Sequence, residues 1–216
     1  PVGQQVGQIT LKADGLALTI DLLIEVLQLS YPDADCVQID HNSYGSTFLE
    51  NLFPRTVPRA GGPKKTAALI DLIHKYHALV FEHHGLYHQL GYGHSGATPP
   101  LFAPLLAGDG HNRHVCDWRI YDAHYGPLLD GSAFAKGRRK PAPIYSIYTP
   151  FNPAWPADWL SFGQPGYDVE YVNVLRDFDR HFRSNGWTGT IPEFFFNHKK
   201  RYRFFEWDGD EPRYPR

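Results

Sequence analysis

The stretch Lys65-TAALIDLIHKYHALVFEHHGLYHQ-Leu90, residues 65–90, decides the fold class. Leu69, Ile70, Leu72, Ile73, Tyr76, Leu79 and Val80 form a wide apolar stripe at helical spacing, so residues 65–84 are expected to be an amphipathic helix. Gly85 supplies a stop at its C-terminal end. The run Leu86–Leu90 then reads as a strand that leaves through Gly91-Tyr92-Gly93-His94. Upstream, residues 36–40 carry a short buried-strand pattern, and His41-Asn42-Ser43-Tyr44-Gly45 is polar and turn-like. Strand, helix, strand in that order is a βαβ unit, whose parallel strands need such a crossover.

Working outward, residues 6–29 read as two extended segments about a turn at Ala13-Asp14-Gly15. Residues 16–29 fit a helix or a strand by periodicity, and strands are favoured. Residues 1–35 are expected to be the tail of an N-terminal β-sandwich. Residues 95–142 read as one long connection, in which 118–131 resemble a substrate-side loop; connections of that length are usually functional. Residues 144–148 are a third strand. Asp168 is placed as N-cap of a helix over 169–184 that stops at Asn185-Gly186, and 191–196 form a fourth strand. Residues 202–207 are extended again and run into Asp208-Gly209-Asp210-Glu211-Pro212.

Polar and aromatic residues gather where each strand ends: Asp40, Asn42 and Tyr44; Tyr92 and His94; Asn152 and Trp155; Asn197 and His198. Parallel α/β folds bind ligands at the carboxyl ends of their strands. The expectation is an α/β chain whose residues 36–216 form the first half of a (β/α)8, TIM-type barrel, incomplete within these residues.

Composition excludes several classes. Apolar residues make up 42% of the 216, enough for a real core rather than a disordered chain. The net charge is −2, and the only basic runs are short, at 136–140 and 199–203, which argues against a nucleic-acid partner. No run is long enough to span a membrane. Five Trp, 13 Tyr and 14 Phe among 20 Gly and 18 Pro suit either an aromatic core or a cleft of structured loops. Cys36 and Cys116 leave a single disulfide open. No Gly-x-Ser-x-Gly elbow, Walker loop or Gly-x-Gly-x-x-Gly fingerprint is present. His84 and His88 are four apart, but Gly85 breaks the helix between them, and His111 and His114 have no Cys or carboxylate at ligand spacing nearby except Asp109 and Asp117. No metal and no cofactor is therefore assigned, and oligomeric state is left open.

Adjacent carboxylates repel, which raises the pKa of one and keeps a proton available near neutrality. On extended backbone the two neighbours point apart, so Asp210 and Glu211 suit a division of labour rather than a clamp on one bond. Asp210-Glu211-Pro212 after a strand resembles the catalytic pair of the β-N-acetylgalactosaminidases of glycoside hydrolase family 123 and their uncharacterised barrel relatives. Asn42-Ser43-Tyr44-Gly45 is similar to their passage into the first barrel strand, and Asn185-Gly186-Trp187 to their turn before the catalytic strand. The resemblance covers about residues 16–212 in scattered short motifs and leaves 95–142 without a counterpart. It implies a retaining, substrate-assisted glycosidase acting on an oligo- or polysaccharide, in which Glu211 is the acid/base and Asp210 orients the acetamido group. Asp40, Asn42, Tyr44, Tyr92, His94, Trp155, Asn197 and Trp207 would line the sugar subsites. Localisation is expected to be extracellular or periplasmic, although no signal segment is visible. Two rivals are a non-catalytic carbohydrate-binding barrel and a His/Asp metal-dependent hydrolase.

Overall fold

A computed structural model describes residues 2–30, 40–44, 47–90, 98, 100–152, 154–158 and 164–194, and the structural statements below concern these residues. The chain divides into two compact units, Pro1–Ala34 and Asp35–Arg216.

The first unit is one antiparallel hairpin. Strands β1 (Gly3–Ala13) and β2 (Leu16–Val26) pair without interruption from Gly3↔Val26 to Ala13↔Leu16. Asp14 (φ 48°) and Gly15 (φ 81°) both take left-handed backbone, the two-residue turn whose twist matches a hairpin. Periodicity left helix and strand open for 16–29, and the register resolves it as strand. Among the described residues β1 and β2 pair only with each other, as a two-stranded ladder.

In the second unit, β3 (Asp40–Tyr44) pairs in parallel with β4 (Leu86–Leu90), in register from Asp40↔Leu86 to Tyr44↔Leu90. The crossover carries α1 (Thr47–Leu52) and α2 (Pro63–Glu82). Pro63 opens α2, where its missing N–H costs nothing. Leu69, Leu72, Ile73, His77 and Phe81 form its buried face. Its stop is made by His84 (φ 57°) rather than by Gly85: the His84 N–H donates to Phe81 O and the Gly85 N–H to Val80 O, both at 3.0 Å. Residues 41–44, expected as a turn, are strand, because a parallel ladder is built from backbone groups and does not require apolar side chains.

The segment expected as one long loop is structured. It holds β5 (Leu105–Ala107) and β6 (His114–Asp117), an antiparallel pair with an irregularity at Leu105/Leu106, then α3 (Arg119–Leu129). Pro127 lies inside α3. Burial outweighs it: Tyr121, Tyr125, Leu128 and Leu129 are all buried. Gly126 lets the helix approach Trp187 closely, since a Cβ there would sit 3.3 Å from the indole.

Strands β7 (Ser146–Tyr148) and β8 (Ile191–Glu193) form a second parallel pair, joined through α4 (Tyr167–Ser184). Gly166, not Asp168, is the N-cap of α4, and Asp168 lies in its first turn. Gly186 (φ 72°) ends it as expected, with Trp187 N donating to Phe182 O at 2.9 Å. β4 lies against β7 without a shared ladder.

The barrel expectation is corrected. The described strands form four separate two-stranded ladders, two parallel and two antiparallel, in a small mixed α/β fold. β7 and β8 contribute three residues each, too few to carry a continuous wall. The core instead gathers between helices and strand faces, around Ile73, Phe102, Tyr121, Leu128, Phe134, Phe151 and Val174.

Tyr121 and Tyr125 are buried with no hydrogen-bond partner for either phenol oxygen among the described residues. A buried hydroxyl without a partner carries its desolvation cost uncompensated. Tyr121→Phe and Tyr125→Phe are therefore each expected to raise stability by about 1 kcal/mol, by the same asymmetry. Chemical denaturation checks this, and a loss of stability in both would mean that the hydroxyls are satisfied.

Candidate functional site

The parallel pair β7–β8 finishes at Tyr148 and Glu193. There β7 runs into Thr149, Phe151 and Asn152. Thr149 donates to Glu193 O through both its backbone N–H and its Oγ1, at 2.8 Å each, which ties the end of β7 to the end of β8. Asn152 is buried and fully used. Its Nδ2 donates to Thr98 Oγ1 (2.9 Å) and Pro150 O (3.0 Å), and its Oδ1 accepts from Ala154 N–H (2.8 Å). Its backbone exchanges two 3.1 Å bonds with Trp155, and Tyr171 Oη donates to its carbonyl. Burial pushes the Tyr171 phenol well up, so it stays a donor there. Asn152 is thus a knot that shapes the loop. A cis peptide bond joins Trp155 to Pro156.

Beside this knot, a cleft of about 410 Å³ opens between α4 and β8. Phe151, Phe178, Phe182, Trp187 and Phe194 line it, and Thr190 is at its wall. Volume and lining fall in the range of small-ligand sites, which are mostly apolar with a few polar groups. Thr190 Oγ1 is committed to Ile144 O at 2.7 Å. The charged members of the lining, Asp179 and Arg183, pair with each other at 2.7 Å. The rings of the cleft can hold the apolar face of a ligand.

Electrostatic ties hold α4 in place. Asp177, nearly buried, accepts from His114 Nδ1 (3.0 Å), Val115 N–H (2.9 Å) and Arg180. Glu170 accepts from Gly110 N–H at 2.6 Å and lies 3.4 Å from Arg113. Toward α3, His181 meets Asp122 at 2.7 Å and lies flat on Trp118, with ring centres 3.8 Å apart. The composition signalled none of these pairings. The visible trace is helical spacing: Asp177 and Arg180 three apart, and Trp118 and Asp122, His181 and Asn185, each four apart.

The expected site residues fall as follows. Asp40, Asn42 and Tyr44 occupy alternate positions of β3, opposite Leu86, His88 and Leu90. Asp40 stands at the first described residue of β3, so Tyr44, not Asp40, is at its carboxyl end. Trp155 is half-buried and packs edge-on to Phe151 (5.1 Å) and Phe178 (5.9 Å), so its ring belongs to the packing behind the cleft rather than to an open platform. Tyr92, His94, Asn197, Trp207, Asp210 and Glu211 lie outside the described residues. Cys116 is a free, exposed thiol on β6, and Cys36 is also outside the described residues. Among the described residues no three His, Cys, Asp or Glu side chains converge to hold a metal ion, and no helix is long and apolar enough to cross a membrane.

Comparison with protein-family models, with curated proteins and with solved structures finds no match to this chain.

Proposed function

We propose that the protein is a glycoside hydrolase that cleaves a β-linked amino sugar from an oligo- or polysaccharide outside the cytoplasm. The observation that carries the reading is one of chain order around an aromatic cleft. β8 ends at Glu193, Phe194 lines the cleft, and the chain then continues toward Asn197, Trp207 and the Asp210-Glu211 pair. Rings on one side and a carboxylate pair soon after in the chain are the two components that sugar cleavage needs.

In this reading Glu211 gives its proton to the leaving oxygen while the C1–O bond breaks. The substrate's own acetamido oxygen forms the new bond to C1, and Asp210 holds that group and balances the positive charge of the cyclic intermediate. Water then attacks C1 as Glu211 takes its proton, and the ring opens with retained configuration. No cofactor enters the balance.

The test is hydrolysis of a chromogenic N-acetyl-β-galactosaminide by the full chain, with the anomer of the first product read by NMR. Turnover with retention is expected. Binding of the sugar without turnover would move the protein to the carbohydrate-binding reading, and inversion would remove the acetamido group as nucleophile.

A further inference from the structure

Strand alternation sorts the β1–β2 hairpin into two unlike faces. One face holds Gln4, Gln8, Thr10 and Lys12 with Thr19, Asp21 and Glu25, interrupted by the exposed Val6–Leu23 pair and Ala17, and is knitted by Gln8 Nε2 donating to Asp21 Oδ1 (2.8 Å) and by the Thr10–Thr19 hydroxyl pair. The other holds Ile9 and Leu11 with Leu16, Leu18, Ile20, Leu22, Ile24 and Val26. All eight are exposed, from 37% at Val26 to 78% at Leu16.

Two physical facts bear on that face. A lone two-stranded hairpin is marginal in water, and it gains stability only when an apolar layer covers it. A contiguous patch of this kind on a soluble protein marks a contact surface. Pairing along the hairpin's free edges would lengthen the sheet and leave the patch wet, so the occupant has to pack on the face.

We infer that the occupant is the same face of a second copy of this chain, two hairpins packing as a two-layer, four-stranded sandwich related by a twofold axis. The face matches itself. It is uncharged and mostly aliphatic, with Gln5 as its one polar side chain and Gly3 and Gly7 leaving β1 bare opposite Val26 and Leu22, and the charged residues of both strands are on the opposite side. A stable interface buries about 800 Å² on each partner, and eight aliphatic side chains exposed by a third to three-quarters present much of that. An isologous contact of this type closes on itself and leaves no further patch open.

The experiment uses the full chain: light scattering across a hundredfold concentration range, with hydrogen exchange at both ends of it. The expected result is twice the monomer mass at the upper end. Amides of residues 3–13 and 16–26 should be at least tenfold slower to exchange there than at the lower end. Leu18→Asp with Ile20→Asp should give the monomer mass, whereas Glu25→Lys on the polar face should leave the dimer intact. The exchange measurement needs no variant, so it stands even if the double substitution disrupts the hairpin. A monomer with protected hairpin amides at all concentrations would place the cover within the chain, and an unprotected monomer would show no cover at all. A dimer that survives Leu18→Asp with Ile20→Asp would use another surface. A chain that stays monomeric alone and floats with phosphatidylcholine vesicles would have lipid as the occupant. Each of these four results overturns the inference.

Discussion

Replacing Glu211 with Gln is expected to lower kcat on an N-acetyl-β-galactosaminide by about 10²–10⁴-fold, the range a positioned general acid supplies. Gln keeps the size and hydrogen-bonding reach of Glu and removes only the transferable proton. The loss should be largest for an alkyl leaving group, whose alkoxide needs that proton, and smallest for nitrophenolate, which departs unaided. Asp210→Asn separates the second role. In the proposed role a like charge at Asp210 raises the pKa of Glu211, so removing that charge is expected to lower it. The acid must be protonated to act, so the alkaline limb of the kcat/KM profile should move to lower pH in Asp210→Asn, with a lower plateau as well. Unchanged kcat in Glu211→Gln, with the far-ultraviolet spectrum preserved, would send the acid role to another residue.

The regular elements of this chain were legible where one signal dominated. Leu86–Leu90 is a strand within the expected limits, and α2 lies within two residues of the helix read from its apolar stripe. The stop of α4 at Asn185-Gly186 was legible because a left-handed residue after a helix is a local requirement. α3 was not, because Gly126 and Pro127 read as breakers when taken alone. What holds α3 is tertiary: Gly126 under Trp187, and Tyr121 against Phe178 at 5.3 Å, partners 61 and 57 residues away. The polar residues 41–44 misled in the opposite sense, since strand pairing with β4 is a property of the partner backbone. The barrel failed for a related reason. Clusters at strand ends imply parallel strands, which β3–β4 and β7–β8 are, but say nothing of whether the ladders join. For the site, Trp155 was correctly placed after a strand, yet its neighbours Phe151 and Phe178 take its ring into the packing.

Acidification from pH 6.5 to pH 4 is expected to cost the folded state about 3 kcal/mol through one group, His124. The ring is fully buried on α3, stacked on Tyr125 at 4.0 Å and edge-on to Phe102 at 5.2 Å. Its Nδ1 donates to Leu101 O at 2.9 Å, while Nε2 has no partner among the described residues. Burial away from water lowers its pKa to about 3; the Leu101 carbonyl pulls the other way, and His74 adds to the lowering. His74 also donates from Nε2 to the His124 carbonyl at 2.7 Å, so α2 is tied to the same point. The unfolded chain takes up a proton at His124 below about pH 6.5 and the folded chain only near pH 3, so between those values the unfolded state binds more protons. Stability from this group is therefore complete above pH 6.5 and is lost progressively as pH falls toward 3. Denaturation midpoints at pH 7, 5.5 and 4 check it against His124→Phe. That variant loses the bond to Leu101 and should be less stable at pH 7 by about 1–3 kcal/mol, the cost of an orphaned buried acceptor. Its further decline to pH 4 should be shallower than the wild type's by about one proton. Parallel declines would mean that His124 is not held neutral in the fold. If the slopes separate as expected, amides of α3 and the C-terminal half of α2 should be the first to lose exchange protection in acid, because His124 and His74 join those two helices.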